Sequence, residues 1–364
     1  MPSRAPRRRA CTSRIAPEPL ALDVASCSDP YVRHSVLARF TLGVTVVGVL
    51  AGACSDQSVT PAPPPSVAGD GGGTDGDPGP TVDGGTQRPG LIRVAQFNVR
   101  RFFNTVCDSG KCSGGDFEDL PTQAEFDAKT DALAKGIALI DPDIISLEEV
   151  ETQGCLDALN AKLTTMGKGF PIAHLGETGS AGSVDVAVLA RGGLTEIKTH
   201  RDVPLTEADG TPTTFTRELL EMRMTFGARS VIMFAAHFRS QVMDDPARRL
   251  AEAKGAQAIV AKTSTDLPDS LVILGGDLND KPGSDPINAM EAGGALLRVA
   301  SDIPVDAQGT YIFNGVKNAI DHIFIGAPQA SRYVAKSAIV FQDDPKGGFS
   351  SSDHMSLAAD FSIE

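Results

Sequence analysis

Short apolar runs along this chain read as strands, and several of them end in chemistry. GGDLND (275–280), IDHIF (320–324) and SSDHMSL (351–357) each set acids, an amide or a histidine at a strand end. Upstream, RVAQFNV carries Asn98 and DIISLEEVE carries Glu149 in the same way. Functional side chains of α/β sheets gather at such ends and on the loops beyond them. Carboxylates and an amide suit a hard divalent cation, and histidines suit proton transfer. The set therefore points to metal-assisted hydrolysis.

The runs alternate with helical patterns. Apolar spacing predicts strands over 91–99, 144–147, 184–190, 219–226, 230–238, 271–274, 319–325, 337–341 and 355–361. It predicts helices over 124–140, 155–166 and 247–262, the first ending before Asp141-Pro142 because proline drives its predecessor out of the helical region. The two strands flanking Gly227-Ala228 read as a hairpin. Strand–helix alternation interrupted by paired strands predicts an α/β fold with two mixed sheets packed face to face and helices outside.

The folded domain is expected over 90–364, one domain's worth of chain. Residues 1–35 are an Arg/Pro-rich leader without apolar period, and translation is expected to start near Val36. Residues 40–53 are apolar or small, too short for a membrane-spanning helix of roughly 20 residues and suited to a secretory signal. LAGAC (50–54) resembles a bacterial lipobox, so 36–54 is read as a signal segment with lipidation at Cys54 as the membrane anchor. Residues 55–89 are Gly, Pro, Asp, Ser and Thr with almost nothing large and apolar to bury, which predicts a flexible linker. An exported protein, in the cell envelope or outside the cell, follows. Cys107 and Cys112 are then read as a small-loop disulfide and Cys155 as a buried thiol.

The formal charge is −13, and residues 88–364 carry 26 basic against 38 acidic side chains. Such a domain has no global attraction for nucleic acid, so any phosphate affinity must be local or carried by a metal.

The ordered set FNV, SLEEV, FTRE, AAHFRS, GGDLND, IDHIF and SSDH resembles the endonuclease/exonuclease/phosphatase superfamily, the deoxyribonuclease I-like proteins, over residues 91–361. The resemblance implies a four-layer α/β sandwich that hydrolyses phosphoesters with Mg2+ or Mn2+, Ca2+ being a further candidate. It implies Glu149 as principal metal ligand, with Asn98 beside the metal and Asp353 completing the oxygen shell. Glu148 stands where most members have glutamine. Asp277 would align or deprotonate water, and Asn279 would hold a phosphate oxygen. Asp321 and His354 would form one dyad. His237 would be the second histidine, with Asp185 as its expected partner. Arg217, and less directly Arg239, would contact phosphate, and Tyr311 is placed in the core or against substrate.

An exported phosphodiesterase acting on nucleic acid is the leading expectation. A phosphatase or a sphingomyelinase-like enzyme is the alternative; the inositol-phosphatase hallmark is missing, because Asp321 precedes His322 and the chain has no tryptophan. A non-catalytic surface lipoprotein fits poorly with an intact metal and histidine set. No protein partner is indicated.

Overall fold

Alternating side chains along the strands separate three apolar layers, and this positions everything else. The structure, a computed structural model, describes residues 88–242 and 244–364. The leader, the signal segment and the linker up to residue 87 lie outside the described residues. In chain order the strands are β1 (Leu91–Phe102), β2 (Ile144–Val150), β3 (Ile172–Gly176), β4 (Asp185–Ala190), β5 (Gly193–Thr199), β6 (Leu205–Thr206), β7 (Pro212–Thr213) and β8 (Leu220–Phe226). They continue as β9 (Arg229–His237), β10 (Leu271–Asp277), β11 (Leu296–Arg298), β12 (Tyr311–Phe313), β13 (Val316–Asn318), β14 (Asp321–Gly326), β15 (Ile339–Phe341) and β16 (Ser356–Ser362). The α-helices are α1 (Gln123–Ile140), α2 (Gln153–Thr165), α3 (Pro246–Asp266) and α4 (Asp285–Met290).

One six-stranded sheet runs β15-β16-β1-β2-β4-β3 and the other β11-β14-β10-β9-β8-β5. Each is mixed: β1 is parallel to β2 and antiparallel to β16, and β10 is parallel to β9 and antiparallel to β14. Val94, Ile144 and Val188 of the first sheet meet Met222, Met233, Ile273 and Ile323 of the second in one core. Residues of opposite parity, such as Phe97 and Leu147, pack outward on Leu133 and Ile137 of α1 and Leu159 of α2. On the far side Phe234 and Leu274 pack on Ala253, Ala256 and Val260 of α3. The result is the four-layer α/β sandwich of deoxyribonuclease I-like proteins, helix–sheet–sheet–helix.

Local signals agree with this frame. Thr122 and Glu125 form a capping box at the start of α1, and Asp141, left-handed at φ 49°, ends it. The hairpin of β8 and β9 turns between Phe226 and Arg229. Cys107 and Cys112 are disulfide-bonded and Cys155 is a buried free thiol. Strands β3, β5 and the β12–β13 hairpin had no clear sequence signal. β5 is an edge strand with four exposed residues in succession, so no apolar alternation marks it.

His322 of β14 is buried on the helix side, its ring tilted 52° to that of Phe324 at 5.9 Å, and donates from Nε2 to the Asp280 carbonyl at 2.9 Å. Burial first, with Arg298 helping, lowers its pKa from 6.5 to about 4 against the upward pull of that hydrogen bond. The unfolded chain therefore takes the proton first. Stability present above 6.5 drains as pH falls through about 4. Denaturant unfolding at pH 7 and pH ~4.5 should show His322→Gln losing less stability on acidification than the parent, by up to ~3 kcal/mol. Equal losses would contradict this.

Candidate active site

Strand register places the site. Asp277, the last residue of β10, lies opposite His237 on β9 and Asp321 on β14, so three side chains form one row across adjacent strands. They continue the inward-facing column of Ile273, Met233 and Ile323 past the end of the apolar core. From the other sheet Asn98 reaches across, its Nδ2 donating to Asp277 Oδ2 at 3.0 Å and to Glu149 Oε1 at 3.3 Å. His354, just before β16, sets Nδ1 2.9 Å from Asp321 Oδ2 and Nε2 4.0 Å from Asp277 Oδ2. His237 Nε2 lies 3.6 Å from the same oxygen. Sequence-distant residues thus converge within a few ångström.

Backbone strain gathers here. Glu149, Asn279, Arg100 and Arg101 all have positive φ, at 66°, 53°, 51° and 45°. Such conformations for non-glycine residues persist only where the surroundings impose them, commonly at functional sites. Here the hydrogen bonds supply that restraint: the Arg101 N–H donates to Glu149 Oε2 at 2.8 Å and the Asn279 N–H to Asp277 Oδ1 at 2.8 Å. Gly276 is required, because a Cβ there would lie 1.9 Å from the Ala236 carbonyl oxygen.

Burial acts on both imidazoles, and their charged neighbours separate them. His237 is held well below 6.5, by burial first and then by Arg217 and His354. For His354 burial also pulls downward, but the Asp321 carboxylate, helped by Asp277 and Asp353, lifts the pKa to about 10. Burial, then Asp321, pushes Asp277 up to about 7. At neutral pH a neutral His237 and a cationic His354 flank one buried carboxylate, a pairing suited to general acid–base work.

Glu149, Arg217, Arg239, Asn279, Tyr311 and Asp353 line the same cleft. Glu149 and Asp353 are carboxylates of the cleft wall that could hold a hard divalent ion. Asn98 presents its nitrogen to the carboxylates, and its oxygen accepts the Arg100 N–H at 2.9 Å, so it stands as a strut beside them. Asp353 is paired with Arg100 at 3.3 Å. Asn279 donates to the Phe238 carbonyl, as does Arg217, which fixes both at the cleft wall. Tyr311 stacks 4.8 Å from the His354 ring.

Asp185 is not brought to His237. Its carboxylate accepts from the Thr178 N–H and lies 3.2 Å from Ser183 Oγ. The reason is strand parity: Val186 and Val188 face the second sheet, so Asp185 points to the opposite side of β4. Glu148, by contrast, is fully buried beside the row, and burial with Asp321 and Asp277 raises its pKa well above the carboxylate range. Burial there favours the protonated form of the glutamate that stands where the resemblance leads one to expect a glutamine.

Sequence reading missed the supports on α3. Glu252, fully buried, accepts the backbone N–H of Thr216 and of Arg239, each at 2.6 Å, and so holds the segments bearing Arg217 and Arg239. Arg249 reaches Asp280 at 3.1 Å and Asp244 at 2.8 Å. Both charges share the face of Ala253, Ala256 and Val260, a signal present in the sequence.

Carboxylates, opposed histidines and arginines around one cleft define a metal-dependent phosphoester hydrolase. Residues 93–347 match the Endonuclease/Exonuclease/phosphatase family, and the chain belongs to that family. Truncated Caenorhabditis elegans TDP2 is similar in structure at TM-score 0.54 and 16% identity, covering 75% of this chain and 97% of that one. D. rerio TDP2 complexed with single strand DNA product is similar at TM-score 0.51 and 16% identity, covering 75% and 99%. The human Nocturnin catalytic domain with bound sulfate anion is similar at TM-score 0.51 and 17% identity, covering 77% and 96%. At these identities the likeness establishes the fold. No curated protein matches the chain.

Asp321→Asn removes the charge that keeps His354 protonated, so the alkaline limb of the pH–rate profile should move to lower pH by more than ~1 unit; an unmoved limb contradicts the dyad. Glu252→Ala leaves two backbone donors unmatched and should lower unfolding stability by about 2–4 kcal/mol, read by denaturant titration.

Proposed function

We propose that the protein is a Mg2+-dependent phosphodiesterase acting on nucleic acid, an exported nuclease of the deoxyribonuclease I-like kind. The observation that carries this reading is the placement of His237 and His354 at 3.6 Å and 4.0 Å from one oxygen of Asp277. An in-line displacement needs a water aligned on one side of phosphorus and a protonated or cationic group on the other. Asp277, close to neutrality in pKa, orients and takes the proton of the water. His354, cationic over the working range, stabilises the developing charge or protonates the leaving oxygen. His237 stays neutral and hydrogen-bonds a phosphate oxygen. Arg217 adds a planar cation at the equatorial oxygens. When bound by Glu149 and Asp353 beside Asn98, Mg2+ or Mn2+ would supply further neutralisation of the phosphate.

A nucleic-acid substrate is supported by the family and by D. rerio TDP2, which is complexed with a single strand DNA product. Export and a lipid anchor at Cys54 are supported by the apolar segment over 40–53 and by LAGAC. Phe117, Phe313 and Val242 also line the cleft and are 51%, 60% and 75% exposed, which favours a lipid phosphodiester as the second reading.

Plasmid DNA, RNA, sphingomyelin and bis-nitrophenyl phosphate, each assayed with and without EDTA, separate the readings. Metal-dependent cleavage of DNA or RNA is expected, and sphingomyelin turnover alone would select the second reading. Asp277→Ala, His237→Ala and His354→Ala should each lower kcat by about 10²–10⁴ with folding retained. Near-normal turnover in all three would overturn the assignment.

A further inference from the structure

Phenylalanine is among the residue types most often buried, and exposed apolar side chains scattered singly need no explanation. Among the described residues the exposed phenylalanines are Phe117 and Phe313, at 51% and 60%, and both line the catalytic cleft. They stand on opposite rims. Phe313 belongs to the β12–β13 hairpin, whose Tyr311 bridges to His354 and stacks on it just before β16. Phe117 precedes Glu118, whose carboxylate lies beside Gly182, ahead of β4. In the sheet order β16-β1-β2-β4, the strands β1 and β2 that carry Asn98 and Glu149 fall between the two rims.

Both rings are held in place. Phe313 pairs with Val316 across Asn314-Gly315, whose φ values of 49° and 76° close a tight two-residue hairpin turn. Residues two apart on a strand share a face, so Phe313 extends the aromatic surface of Tyr311 outward from His354. On the other rim Glu118 ties down the disulfide loop, accepting the N–H groups of Asp108 and Ser109 at 2.6 and 2.7 Å. Phe117 rests edge-on to buried Phe103 at 6.0 Å, with the Arg101 guanidinium 4.9 Å over its ring. Five basic and four acidic side chains line the cleft, Arg101 and Lys281 among the basic ones, in a chain of net charge −13. Cations gathered locally beside flat exposed rings match a polyanion whose units carry aromatic faces.

We propose that the enzyme grips an unpaired polynucleotide strand, with bases on either side of the scissile phosphate stacked on Phe117 and Phe313. This narrows the nucleic-acid substrate proposed above, on which it rests, to single strands. In a duplex each base face is covered by its neighbours, and turning a base out costs unstacking and unpairing. Every base has a π-face, so the two rings confer little sequence preference. A lipid would use the same side chains for their apolar area alone, which leucine also supplies.

Fluorescence anisotropy with labelled oligonucleotides tests this on the full chain carrying Asp277→Ala, in EDTA so that strands stay intact. A single strand should bind at least ~10-fold tighter than the duplex of the same sequence. Phe117→Ala and Phe313→Ala, added singly, should each weaken single-strand binding by about 5–150-fold. Phe117→Tyr and Phe313→Tyr should bind like the parent, and Phe117→Leu and Phe313→Leu like the alanine variants. A strand built of abasic sites should bind the parent and the alanine variants alike. Equal affinity for single strand and duplex, undiminished binding in either alanine variant, or full binding by the leucine variants overturns the proposal and leaves a nucleic-acid enzyme in place. Absence of binding to any oligonucleotide overturns the nucleic-acid reading and this proposal with it.

Discussion

The hydrogen bond from Asn98 on β1 to Asp277 on β10 joins the two sheets at the one end where their apolar core gives way to polar groups. Either side chain alone, buried at that depth, would be destabilising. Together, with Glu149 and the Asn279 N–H as further partners, they convert an open end of the sandwich into a preorganised cleft. The geometry of both histidines is referred to Asp277, so the catalytic arrangement inherits its precision from sheet-on-sheet packing.

Burial then does electrostatic work that exposed residues could not. His237 and His354 are of one residue type and lie near the same carboxylate oxygen, yet their pKa values move in opposite directions. Desolvation acts on both; only His354 has a carboxylate, Asp321, hydrogen-bonded to its second nitrogen. That partner, with Arg217 beside His237 and Asp277 and Asp353 beside His354, drives them apart. The helix side contributes through Glu252 and Arg249, which spend charge on backbone groups and loop acids to hold the cleft wall.

Much of the site was legible because polar residues interrupt β-branched or apolar runs at their ends, as in VILGGD before Leu278 and FAAH before Phe238. Central strands, buried on both faces, carry that signal strongly. Edge strands such as β5, and the short β12–β13 hairpin beside His354, do not, because half or more of their side chains meet water. Asp185 illustrates a different failure. It opens the buried strand β4 at a plausible position in the motif order, but a period of two sends neighbouring residues to opposite faces. Position along the chain cannot decide between those faces without the register of the partner strands.

Sequence alone determined the family, the α/β layering and the chemistry available, because residue type and apolar periodicity are local properties that survive without a fold. Tertiary structure decided that Asp185 does not meet His237, which imidazole keeps its proton, and that Glu148 and Glu252 are buried beside or beneath the site. Those outcomes depend on distances and desolvation between segments far apart in the chain, quantities that arise only when two sheets close on each other.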